Sequence, residues 1–166
     1  MKQMTEHLVV LETKLREQMG FCRDLHKLVL EQRTFIKNRD LKGLEEVTAS
    51  LEATYKNFSA AQTEMQGCYA ECLNAMGLAP DVTLTTLVNS LSGEMKRRLS
   101  ELVEELSTTI KKFHRDNTSN LMLIKNLHYT IGQVLKFYQT GNHLLYQQNG
   151  NIKTEAHTTV TLNKTV

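Results

Sequence analysis

The side chains of this 166-residue chain best suited to metal ligation or nucleophilic attack are six histidines and three cysteines. A di-metal site in a helical bundle takes Glu-x-x-His pairs from two helices, because a three-residue step sets both ligands on one face. None of His7, His26, His114, His128, His143 or His157 has a glutamate three residues before it. Cys68 and Cys72 share a helix face and could form half of a thiolate zinc site, but no second Cys/His pair has a matching spacing. A cysteine nucleophile needs a base beside it, and no motif suggests one, so packed thiols are the better reading. The chain has no glycine-rich phosphate loop, no Gly-x-Ser-x-Gly and no His-Glu-x-x-His. The expectation is a protein with no metal, no cofactor and no enzymatic activity, which leaves binding by surface.

Charge narrows the partners. Twenty basic residues against eighteen acidic ones give a net charge of +2. The longest basic run is Lys96-Arg97-Arg98, which is too short for the electrostatic footprint of a nucleic-acid binder. No stretch of about eighteen apolar residues exists to span a membrane, and Met1–His7 lacks the apolar core of a signal peptide. Three cysteines, Cys22, Cys68 and Cys72, form no disulfide framework. A cytoplasmic location is expected.

The elements that must carry such a surface are helices. Leu8, Leu11, Leu15, Cys22, Leu25, Val29 and Ile36 recur at heptad-like spacing and predict a first helix from about Thr5 to Asn38, capped by Thr5. Gly20 predicts a bend or a close helix approach, and the other intrahelical glycines, Gly43, Gly67 and Gly132, read as easing helix packing. Asp40 can cap a second helix from about Leu41 to Met76, with a stripe of Leu44, Val47, Leu51, Tyr55, Phe58, Met65, Tyr69, Cys72 and Met76. So short a turn between long helices forces an antiparallel hairpin. Gly77 and Pro80 stop the second helix; Asp81 can cap a short one over about Val82 to Leu91. A third long helix then runs from about Glu94 to Gln139. At about 1.5 Å per residue it reaches nearly 70 Å against roughly 50 Å for each of the first two, so it should outrun the hairpin. The predicted fold is all-α: an elongated antiparallel bundle of three long helices plus one short connecting helix. Residues 1–142 form the bundle, and 143–166 form a polar tail that is disordered or ordered by a partner.

Two residues interrupt the third helix's seam. Apolar residues step through Met95, Leu99, Leu102, Leu106, Ile110 and Phe113, and resume at Ile124, Leu127, Ile131, Val134 and Tyr138; between them the pattern lands on Asn117 and Asn120. A buried carboxamide without partners costs about 1–3 kcal/mol, so the pair either fixes helix register, as buried asparagines do in coiled coils, or serves a partner. Just beyond lies a surplus of apolar residues, from Leu121 through Ile124, Leu127 and Ile131 to Leu135, Phe137 and Tyr138. A helix apolar on more than one face is central in its bundle or makes a second interface.

Three signatures occur in order: Glu31-Gln32-Arg33 … Asp40-Leu41 … Leu44 around the hairpin turn, Asn117-x-x-Asn120-Leu121 followed by Ile124, and Tyr146-x-x-x-Gly150 in the tail. Together they resemble the FlgN-like family, flagellar export chaperones for hook–filament junction proteins, over about Leu8 to Gly150. The resemblance implies a cytosolic, non-enzymatic chaperone that holds the C-terminal helical segments of FlgK- and FlgL-type proteins, prevents premature assembly and delivers them to the type III export apparatus. By the resemblance, Asn117 and Asn120 match the family's paired asparagines and Tyr146 the tail tyrosine associated with docking on the export machinery; the apolar surplus just after Asn120 adds Leu121, Ile124, Leu127, Ile131 and Leu135 to the expected client-binding set. The tail after Gly150, rich in threonine, departs from the family pattern. A homodimer is among the states this reading allows. The alternative is a structural coiled-coil or bundle protein that acts by homo-oligomerisation without a client.

Overall fold

The computed structural model describes residues 2–139, 145–146 and 152–153. It contains four helices, α1 Lys2–Asn38, α2 Leu41–Met76, α3 Leu84–Ser90 and α4 Gly93–Gln139, and two two-residue strands, β1 Leu145–Tyr146 and β2 Ile152–Lys153. This is the all-α arrangement that the periodicity predicts, three long helices and one short. Met1–Leu121 and Met122–Val166 are separate compact units.

Within the first unit the turn chemistry sets the helix boundaries. Asp40 has extended backbone, and its carboxylate accepts the Gly43 amide at 3.0 Å, which caps α2. Arg39 takes a left-handed φ of 56° to make the reversal. Gly43 is where the hairpin closes tightly, since a methyl group there would collide with the Phe35 ring. Gly77 ends α2 in the left-handed region at φ 65°, with its amide on the Asn74 carbonyl and the Leu78 amide on that of Leu73.

Several expected details differ. α1 begins at Lys2, so Thr5 lies within the helix rather than capping it. Thr83, not Asp81, caps the short helix: its hydroxyl accepts the Thr86 amide at 3.2 Å, because Val82 is drawn into a preceding turn on the Ala79 carbonyl. A methyl group at Gly20, Gly67 or Gly132 would meet nothing within 4 Å, so of the four glycines only Gly43 serves a close approach. Tyr55 is exposed, and its ring lies 6.1 Å from that of Phe58 on α2's own surface.

Side-chain bonds fix the directions of the helices. Lys14 meets Glu64 at 2.6 Å and Gln32 meets Thr48 at 3.4 Å, so α2 runs antiparallel to α1. Glu12 meets Arg98 and Arg33 meets Asn120, so α4 ascends alongside α1. An apolar core built on Leu11, Leu15, Leu87 and Leu99 occupies one end of this unit, and each such side chain contributes about 1.5–3 kcal/mol by leaving water. Along α1 the core changes character, because Gln32, Asp116 and Asn120 are also buried.

In the second unit, β1 and β2 pair antiparallel, Leu145 opposite Lys153 and Tyr146 opposite Ile152. The sequence suggests no sheet. Tyr and Ile suit a pleated backbone, although two strands alone are marginally stable in water.

Candidate functional site

The site begins with the asparagines. Asn120 on α4 is completely enclosed, at 0% exposure. Its Nδ2 donates to the Val29 carbonyl at 2.8 Å and to Gln32 Oε1 at 3.0 Å, and its Oδ1 accepts from Arg33 Nε at 3.0 Å. Both donors and the acceptor are therefore spent on α1, which is the register-setting alternative in concrete form. Asn120 presents no surface to a partner in this state. Asn117 is half-buried beside it.

Asp116 extends the same network. Arg33 Nη2 donates to its backbone carbonyl at 3.1 Å and to Oδ1 at 3.4 Å, while His26 Nε2 lies 2.9 Å from Oδ2. The bond to His26, the bonds from Arg115 and the charge of Arg33 hold the Asp116 carboxyl below the usual aspartate range. Gln32 carries the network on to Thr48 of α2, so one chain of polar groups ties α1 to both neighbours. A second buried carboxylate lies lower on α1. Burial alone would push the Glu12 carboxyl up, but hydrogen bonds from Arg16 and Arg98 and their charges outweigh it and hold it low.

The sequence reading passes over Glu12 and Asp116, weighs His26 only as a metal ligand, and quotes Gln32 and Arg33 only within the hairpin signature, so none of the five is expected in this network. A signal for three of them is present: Glu12 follows Leu8 by four residues, Gln32 falls between Val29 and Ile36, and Asp116 falls between Phe113 and Asn120. Each step fits the helical stripe as well as the step to Asn117 does. His26 and Arg33 sit beside the seam, and no spacing marks them.

The thiols are packed. Cys22 and Cys72 are buried in the apolar core, and burial pushes each thiol up to about 11, helped at Cys72 by Cys68 and Glu71. Both are neutral thiols near pH 7. Among the described residues there is no cluster of three metal-ligating side chains, and no helix is long and apolar enough to cross a membrane.

The remaining expected residues other than Tyr146 all belong to α4. Leu121, at the end of the first unit, is exposed. In the second unit the apolar side chains of α4 at Met122, Ile124, Leu127, Tyr129, Ile131, Val134, Leu135 and Phe137 are between 36% and 68% exposed. A stripe that is enclosed at Leu99, Leu102 and Leu106 is thus open to solvent from Leu121 onward, and an apolar surface of this kind marks a contact with another molecule. Tyr146 is described through its backbone, in β1.

An apolar helix face left open on a helical bundle is the kind of surface on which another amphipathic helix can pack. Residues 4–154 match the FlgN protein family, and the chain belongs to that family. Membership implies a role as a flagellar export chaperone. No curated protein and no solved structure matches the chain.

Proposed function

We propose that this chaperone binds the C-terminal helical segments of hook–filament junction proteins of the FlgK or FlgL type in the cytoplasm, and holds them on α4 until export. The observation that supports this reading is the exposed run Ile124, Leu127, Ile131 and Leu135, with Leu121 beside it. Side chains spaced by three and four residues offer an amphipathic client helix a continuous seam. A client whose ends are apolar helices would associate prematurely if left uncovered, and covering that seam prevents it. Asn117 belongs to the same set at its half-buried margin, while Asn120 acts from within, holding α4 in register on α1. Tyr146 is the proposed point of docking on the export apparatus.

Co-purification with the C-terminal segment of a hook-associated protein tests the reading. Capture by the native chain, lost in the Leu127→Asp/Ile131→Asp variant while helicity is retained, is the expected result. Each substitution would strand a carboxylate in an apolar interface. A folded variant that binds its client undiminished overturns the assignment. A stable homo-oligomer that buries the same face would instead favour a structural bundle protein without a client.

A further inference from the structure

Two kinds of contact hold α4 in the first unit. Leu99, Leu102 and Leu106 belong to the apolar cluster that contains Leu11, Leu15 and Leu87, and Ile110 packs against it. Beyond Leu106 the buried residues of α4, among those described, are Asp116 and Asn120, with Phe113 half-buried. What joins α4 to α1 at this height is a reciprocal clasp. Asn120 Nδ2 donates to the Val29 carbonyl at 2.8 Å, Arg33 Nη2 donates to the Asp116 carbonyl at 3.1 Å, and Arg33 Nε donates to Asn120 Oδ1 at 3.0 Å. Val29 and Arg33 are four residues apart, as are Asp116 and Asn120. Each helix therefore lends the other a carbonyl that already accepts its own helical amide. Parting the clasp orphans neither carbonyl, and the side chains it frees are a guanidinium, a carboxylate and a carboxamide, all of which water solvates well. Water already reaches them, since the Arg33 and His26 side chains are 25% and 21% exposed.

We propose that residues 111–121 of α4 form a strap that lifts from α1 by parting this clasp while the apolar cluster stays closed, and that the client favours the lifted state. The second half rests on the function proposed above. Moving a buried leucine into water costs more than exchanging a hydrogen bond with water. The polar stretch of the α1–α4 seam therefore opens first, and the leucine stretch opens only with the whole fold. Lifting uncovers Val29, which is completely enclosed under the Asn120 carboxamide and shares its stripe of α1 with Leu25 and Ile36. A client helix gains that apolar floor only in the lifted state, and a ligand that binds one state better draws the population toward it.

Amide hydrogen exchange on the full chain tests the strap. A helical segment freed of its neighbours frays, so amides of residues 111–121 are expected to exchange more than about tenfold faster than those of residues 99–106. Leu102→Val weakens a core that the lifted state keeps. It should speed residues 99–106 by about tenfold and leave residues 111–121 unchanged. Asn120→Ala weakens only the closed state, so it should speed both groups and also raise affinity for a synthetic peptide of a FlgK-type C-terminal helix, by about tenfold. Arg33→Met, which parts the clasp from the other side, should do the same. If Leu102→Val speeds both groups alike, the first unit opens as one piece and the strap is overturned. Peptide affinity unchanged or lowered in both clasp variants overturns the client's preference for the lifted state. A native chain that captures no peptide overturns the proposed client, while the exchange pattern still decides the strap by itself.

Discussion

Asn120 donates from Nδ2 to the backbone carbonyl of Val29 at 2.8 Å, joining α4 to the main chain of α1. In an α-helix that oxygen already receives the amide four residues on, so Asn120 occupies its second lone pair. A side chain that bonds a neighbouring backbone fixes the height of one helix against the other, which sliding apolar side chains do only loosely.

Asn120→Leu is therefore expected to destabilise the fold by about 1–3 kcal/mol, because Gln32 Oε1 and Arg33 Nε lose their partner inside the protein. Urea denaturation would measure it. A leucine variant more stable than the native chain would show that the carboxamide is not a net support.

Gln18 points to the opposite change. It is buried on α1, and its Oε1 has no hydrogen-bond partner among the described residues. Gln18→Met keeps the length of the side chain and removes the enclosed carbonyl, so a gain of about 1 kcal/mol is expected. A loss in thermal melting would contradict it.

Gly20 and Gly43 should respond with opposite signs to alanine. At Gly20 the added methyl meets nothing within 4 Å, and exchange of glycine for alanine in a helix gains about 0.5–1 kcal/mol. At Gly43 the methyl collides with Phe35 at the hairpin, and stability should fall. Paired denaturation curves decide both.

Acid should weaken the first unit through two carboxylates. Glu12 and Asp116 both titrate below their ordinary values of 4.5 and 3.8 in the folded protein. A depressed folded pKa means that the unfolded chain binds protons first as pH falls. The stabilisation is therefore complete above about pH 5 and is lost as pH drops through those ordinary values to below the folded ones. Melting temperature followed from pH 7 to pH 3 should fall, and the fall should be shallower in Glu12→Gln, which is already destabilised at pH 7. An unchanged slope would remove Glu12 from the account.

Tyr146→Ala should lower export of a bound client while leaving client affinity within about twofold, since a contact made with a different partner contributes nothing to this binding step. Secretion and titration calorimetry on one variant separate the two. An equal loss in both would place Tyr146 at the client instead.

What the residues themselves determined was the helical skeleton. Leu8, Leu11, Leu15, Cys22, Leu25, Val29 and Ile36 are all buried, as their spacing requires, and α2 starts at Leu41 because Asp40 caps it. Periodicity and capping are local, so they can be read along the chain. The fate of polar residues on the seam was decided only in three dimensions. Glu12, Asp116 and Asn120 share a stripe with leucines, and nothing local shows that Arg98, His26 and Arg33 stand opposite them. The same limit applies to Ile124, Leu127 and Ile131, whose spacing matches that of Leu99, Leu102 and Leu106. Periodicity names the face that seeks burial, but only tertiary packing provides the neighbour that covers it. The first three lack that cover and the second three have it.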